Sequence, residues 1–127
     1  MSALFRVEDE WHGDVPVAAV HGEIDASNAR DLAERLRSVL TNHVEAMVVD
    51  LSGTTYIDSA GINLLFALGD ELRGRQQRLV VAVDKRSSIR RMITITGLHQ
   101  AIPVHPTVAA ALEALGVDGP GASEAIE

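Results

Sequence analysis

The chain has 127 residues, a length suited to a single domain able to bury a core without metal or disulfide. Apolar residues make up 46% and charged residues 23%, close to globular averages, which excludes wholesale disorder. The net charge is −7 and cysteine is absent, so a disulfide scaffold, a thiolate nucleophile and a cysteine zinc site are all excluded.

Phe5–Glu8 and Val15–His21 read as two strands joined by a turn near His12-Gly13-Asp14. Pro16 cannot donate to a ladder, which suits a strand start or an edge. Asp25 or Ser27 is then placed to cap a helix whose stripe of Ala29, Leu32, Ala33, Leu36, Val39 and Leu40 keeps helical spacing. Ala46–Leu51 is a short, nearly continuous apolar run, as in a strand covered on both faces. A second helix is expected from about Ser59 to Arg73, with Ile62, Leu65, Phe66 and Leu72 on one side and Gly74 as its stop.

Leu79–Val83 is another buried strand, and Ser87 or Ser88 caps a third helix that carries Ile89, Met92 and Ile93 and ends at Gly97. Ala101–Val104 reads as a short strand in which Pro103 favours an edge. Thr107 opens a last helix with Val108, Ala111, Leu112 and Leu115, closed by Gly116. Residues 116–127 lack an apolar period and read as a flexible tail, which leaves the domain at 1–115. The element order β-β-α-β-α-β-α-β-α predicts an α/β fold: a four- to five-stranded, mostly parallel mixed sheet with about four helices. Val48, Val49, Leu51, Val81 and Val83 are expected in its central strands, with Leu32, Leu36, Leu65 and Leu72 packed on them.

No apolar run approaches the roughly 18 residues of a membrane span. Met1–Arg6 lacks the basic-then-apolar plan of a signal peptide, so a soluble cytoplasmic protein is expected. Charge is unevenly spread. Residues 1–58 carry 11 acids and 4 bases, residues 59–98 carry 3 acids and 7 bases, and residues 99–127 carry 4 acids and no base. The basic set is Arg73, Arg75, Arg78, Lys85, Arg86, Arg90 and Arg91, and none of Phe5, Trp11, Tyr56 and Phe66 interleaves with it. Nucleic-acid binding would call for such interleaving or a reading helix; a basic edge facing solvent or an acidic protein fits better.

The densest group of polar and conformationally special residues is Asp50-Leu-Ser-Gly-Thr-Thr-Tyr-Ile-Asp-Ser-Ala-Gly61, between a buried strand and a helix. In open α/β sheets ligands and partners meet the carboxyl ends of the strands. At the helix start Asp58 can cap while Ser59 projects outward, or the roles can be swapped. The unpaired N–H groups and positive dipole there suit a phosphate. Asp25, Asp50 and Asp58 either converge near Ser59 or serve as separate caps and turn acceptors.

The stretch Val49–Ile62, with Leu64 and Leu65 after it, resembles the signature of the STAS domain, and more narrowly of the bacterial anti-sigma factor antagonists. His21-Gly-Glu-Ile-Asp25, Met92-Ile-Thr-Ile-Thr-Gly-Leu98 and the Ala110–Leu115 helix extend the resemblance over about residues 4–115. It implies that Ser59 is a phosphoacceptor for an anti-sigma factor with a histidine-kinase-like ATPase fold. The unphosphorylated form would bind that partner and release a sigma factor, and a phosphatase would restore it. Asp25, Asp50, Thr55, Asp58, Ala60, Gly61 and Asn63 would then surround the phosphosite and meet the partner. Ala60 stands where the family often has a second serine, and Asn63 where glycine is frequent.

Other chemistries fit less well. Ile57-Asp-Ser-Ala-Gly61 lacks the first glycine of a nucleophile elbow, so an esterase serine is disfavoured. No two of His12, His21, His43, His99 and His105 stand at metal-ligand helical spacing, and Gly53, Gly61 and Gly69 lack the Gly-Lys-Ser ending of a phosphate loop. No enzyme activity and no cofactor are therefore expected. The competing class is a STAS-like scaffold, or a subunit of a stress-signalling or transport complex, that is never phosphorylated; serine at position 59 favours the switch.

Overall fold

The computed structural model describes residues 5–41 and 43–117. Strand β1 (Phe5–His12) turns back at Gly13-Asp14 and pairs antiparallel with β2 (Val15–Ile24). Strand β2 then runs parallel to β3 (Ala46–Asp50), which is parallel to β5 (Arg78–Ala82), itself parallel to the edge strand β6 (Val104–His105). A further strand, β4 (Thr54–Ile57), lies parallel to the far end of β2. The order is β1-β2-β3-β5-β6 with β4 beside β2, and β1–β2 supplies the antiparallel pair of a mostly parallel sheet. Among the described residues there are five helices: α1 (Ala29–Arg37), α2 (Ser59–Gly74), α3 (Arg90–Thr96), α4 (Leu98–Ala101) and, after the last strand, α5 (Val108–Ala114).

The α/β class holds, with β4 and α4 added to the expected set. Both are four residues long, too short for a period to show. Because Leu98–Ala101 is helical, the last strand is shorter and later than expected, at Val104–His105, although it does lie at the edge. Side chains alternate across β3. Met47 and Val49 therefore join the larger core under α1, α2 and α3, with Leu32, Leu36, Leu65 and Leu72. Val48 faces the other way, onto Val17, Val80 and the α5 residues Ala111 and Leu112, rather than onto α1 and α2 as expected.

Several helix ends differ from expectation in detail. Asn28, not Asp25 or Ser27, occupies the position before α1. Helix α2 runs through Gly74, and the left-handed residue beyond it is Gln76 at φ 61°. Ile89 precedes α3, while Ser87, two residues before that position, accepts at its Oγ from the Ile89 N–H. Gly97, at φ 78°, does end α3, since a residue without Cβ takes that left-handed turn at least cost. Thr107 Oγ1 accepts from the Ala110 N–H at 3.0 Å and caps α5 as expected. Gly116 and Val117 close α5, with the Val117 N–H on Leu112 O at 2.9 Å; of the expected tail, residues 118–127 lie outside the described residues.

Candidate functional site

Strands β2 and β4 end level with each other. Ile24 is in register with Ile57, and the Asp58 N–H donates to Ile24 O at 3.1 Å. Asp58 keeps extended backbone, and its Oδ1 accepts from the N–H groups of Ala60 at 2.9 Å and Gly61 at 3.3 Å. Two of the orphan donors at the start of α2 are thereby satisfied, and the carboxylate sits at the positive end of the helix dipole. Asp58 is thus the cap. Ser59 is the first helical residue and is exposed, and among the described residues its hydroxyl has no hydrogen-bond partner.

Gly61 follows from packing. A Cβ there would stand 2.6 Å from Ile57 Cγ1 and 2.9 Å from Ile24 Cγ2, so the first turn of α2 rests directly on the ends of β4 and β2. Ala60 is half-buried, and Asn63 is exposed one turn after Ser59, on the same strip of the helix. Thr55, exposed on β4, donates its hydroxyl to Gly22 O at 3.2 Å.

The three aspartates do not converge. Asp25 follows Ile24 at the strand end beside Asp58, but its Oδ1 is taken by the Ser27 hydroxyl at 2.6 Å and the Ser27 N–H at 2.9 Å. Those bonds favour the charged form, the hydroxyl most, and hold the Asp25 carboxyl below the usual carboxylate range. Asp50 accepts from the Ser52 N–H at 3.0 Å. The alternation that sends Val48 toward α5 sends Asp50 there too, and it borders a cavity of about 460 Å³ with Glu8, Glu10, His12 and Val108. Asp50 therefore belongs to the opposite face of the sheet from α2.

Beside the α2 start lies a groove of about 380 Å³ between β4 and α3, lined by Thr55, Tyr56, Ile57, Ser88, Ile89, Arg91, Met92 and Ile95. Sequence reasoning missed it. The available signal was Ile95, an apolar residue off the stripe of Ile89, Met92 and Ile93 that turns toward the core.

Comparison with known proteins follows the same lines. The family described as the STAS domain matches over residues 6–111. The chain is 32% identical over 101 residues to the anti-sigma-F factor antagonist RsfB of Mycobacterium tuberculosis, covering 80% of this chain and 81% of that protein. It is 31% identical over 104 residues to an anti-sigma-B factor antagonist of Listeria monocytogenes, covering 82% of this chain and 88% of that one. Among solved structures, an anti-sigma factor antagonist from Mycobacterium paratuberculosis superposes with a TM-score of 0.79 at 31% identity, over 88% of this chain and 94% of that one.

Proposed function

The chain belongs to the STAS domain family and, within it, to the anti-sigma factor antagonists, and from that premise we propose that it binds an anti-sigma factor and is switched off by phosphorylation of Ser59. The partner is an ATP-dependent kinase of histidine-kinase-like fold, and a phosphatase restores the active form. The protein acts in the cytoplasm; no helix among the described residues is long and apolar enough to cross a membrane. The observation that carries the reading is an exposed, unengaged Ser59 hydroxyl at the first position of a helix already capped by Asp58.

The chemistry is a phosphoryl transfer. Ser59 Oγ attacks the γ-phosphorus of ATP, the Oγ–P bond forms as the β–γ bridge breaks, ADP leaves and the serine proton passes to a base on the kinase. The product carries about −1.5 to −2 at pH 7. Asp58 already holds the Ala60 and Gly61 N–H groups, so the dianion meets a like charge beside it. Exposed to water, that charge is tolerated by the fold. Pressed into an interface it must be desolvated, and each 1.4 kcal/mol so lost weakens binding about tenfold.

Incubation with the anti-sigma factor and ATP is expected to add one phosphate by intact mass, mapped to Ser59. Ser59→Ala is expected to fold, to bind constitutively and to take up no phosphate. Ser59→Asp, with about half the charge of a phosphate, weakens binding in part. Phosphate on Ser52, Thr54, Thr55 or Ser87 would overturn the assignment, and tighter binding by Ser59→Asp than by Ser59→Ala would overturn the electrostatic mechanism.

A further inference from the structure

On the face of the sheet turned away from α1 and α2, helix α5 packs on β3, β5 and β6. The cavity of about 460 Å³ opens beside it, over β2, with Val17 and Ala19 as its floor and Val108 of α5 as one wall. Register places its charges. Glu10 of β1 stands opposite Val17, and Asp50 of β3 stands opposite Ala19. The two carboxylates are therefore diagonal to each other across β2 on one face, with roughly 12 Å between their Cα atoms. No lysine or arginine among the described residues lines the cavity.

Charge matching singles these two out. Of the other carboxylates at the cavity, Asp9 is held by Arg35 at 2.8 Å, and Glu8 by Arg6 at 3.2 Å and His21 at 3.4 Å. Among the described residues neither Glu10 nor Asp50 has a lysine or arginine within ion-pair distance. Asp50 accepts only the Ser52 N–H, through Oδ1. A buried imidazole points the same way. The His12 side chain is only 9% exposed, lines this cavity and has no hydrogen-bond partner among the described residues. Its Nε2 stands 3.8 Å from Glu10 Oε1, too far for a bond. Buried polar groups are normally satisfied, and one donor seated beside both atoms satisfies them together. Among the described residues no three metal-ligating side chains converge, and the floor is apolar, so the cavity is unsuited to a bare metal ion.

We infer that this cavity binds a linear aliphatic diamine or polyamine. One ammonium donates to Glu10 Oε1 and His12 Nε2, the other donates to Asp50, and the methylene chain lies over Val17 and Ala19 against Val108. The Glu10 and Asp50 side chains reach inward from either side and shorten the span to that of a chain of about four carbons. The volume is that of a small-ligand site, and the small side chain of Ala19 leaves the middle of the floor open. Ser59 lies on the other side of the sheet and takes no part, so the inference is independent of the phosphorylation switch.

The test is an amide NMR titration of the full chain with 1,4-diaminobutane and with spermidine, at low salt. Saturable binding of one molecule per chain is expected, with the shifts centred on His12, Val17, Ala19 and Asp50. Butylamine, which has a single ammonium, is expected to bind at least tenfold more weakly, a comparison that needs no variant. Glu10→Gln and Asp50→Asn are each expected to weaken the diamine about tenfold, and Asp50→Asn keeps an oxygen for the Ser52 N–H. His12→Phe, which keeps the ring and removes its nitrogens, weakens it severalfold. Glu34→Gln, exposed on α1 across the sheet, leaves it unchanged. Thermal melts matching wild type show that the substitutions spare the fold. No saturation at roughly 10 mM of either amine would overturn the inference. So would a magnesium ion or butylamine binding as tightly as the diamine, since charge alone would then account for the site. A lysine pentapeptide that binds where both amines fail would assign the cavity to a basic protein segment instead. Each of these failures leaves the proposed function standing.

Discussion

Two adjacent parallel strands, β2 and β4, end in register at Ile24 and Ile57, and each passes the chain to a helix through an aspartate with a serine close behind. After Ile24 four residues, Asp25 to Asn28, intervene before α1 begins at Ala29. In that space Asp25 binds the Ser27 hydroxyl, and Asn28 turns its side chain back, its Oδ1 accepting from the Asp25 N–H and its Nδ2 donating to Glu23 O. After Ile57 no such space exists. Asp58 caps α2 at once, so the next residue, Ser59, becomes the first of the helix and projects into solvent. The same residue types thus yield one hydroxyl consumed in a turn and one left available. The difference lies in the length of the junction, not in its composition.

If the contrast is confined to the junctions, the helix bodies must be alike. Leu36 on α1 and Leu65 on α2 are both buried in the same core. Leu36→Ala and Leu65→Ala are each expected to cost about 2–5 kcal/mol, the transfer term plus a cavity, by chemical denaturation. An unchanged midpoint for either would mean that one helix is a lightly held cover, and the comparison would have to be redrawn around packing.

Gly61 sharpens the comparison next. It makes the short junction possible, because a Cβ there would press on Ile57 and Ile24. Gly61→Val is expected to cost about 1–3 kcal/mol through overpacking, despite the gain that a side chain usually brings to a helix. Gly74, at the far end of α2, has nothing within 4 Å of its Cβ position, and Gly74→Ala is expected to be neutral or to stabilise by up to about 1 kcal/mol. Equal effects at the two glycines in thermal or urea melts would show that α2 does not rest on the strand ends.

How much of this was legible in the sequence follows from how far each signal reaches. Long periodic segments declared themselves: the stripe of α1, the apolar run of β3 and the body of α2 from Ser59 onward. Thr54-Thr55-Tyr56-Ile57 did not, because a four-residue strand buried only at its ends has no alternation to read. Asp25 and Asp58 looked equivalent, since aspartate is favoured both as a helix cap and in the turn that Asp25 makes with Ser27. What separates them is a tertiary fact, the register of β2 against β4. Asp50 was grouped with them by nearness in sequence, whereas the two-residue period of β3 sends it to the α5 face. The groove of Tyr56 and Ile95 joins segments nearly forty residues apart, beyond any local pattern.

The smallest expected effect probes the consumed hydroxyl directly. Ser27 holds the Asp25 carboxylate with its Oγ and its N–H, and the carboxyl is thereby depressed below its ordinary range, the hydroxyl bond being the larger cause. A depressed folded-state value means that this carboxylate contributes stability above the unfolded value of about 3.9, and that the contribution is lost as pH falls through the folded value. Ser27→Ala removes the hydroxyl bond and keeps the main-chain one, so the carboxyl rises part of the way back. In carbon-detected titrations the Asp25 midpoint is therefore expected to be higher in Ser27→Ala than in wild type. As the pH falls below the unfolded value of about 3.9, the wild-type protein should lose slightly more stability than the variant, because it has this contribution to lose. Ser59→Ala should leave the Asp25 midpoint where it is. Coincident Asp25 titrations in wild type and Ser27→Ala would mean that the Ser27 hydroxyl is as uncommitted as that of Ser59, and junction length would no longer explain which of the two serines is available.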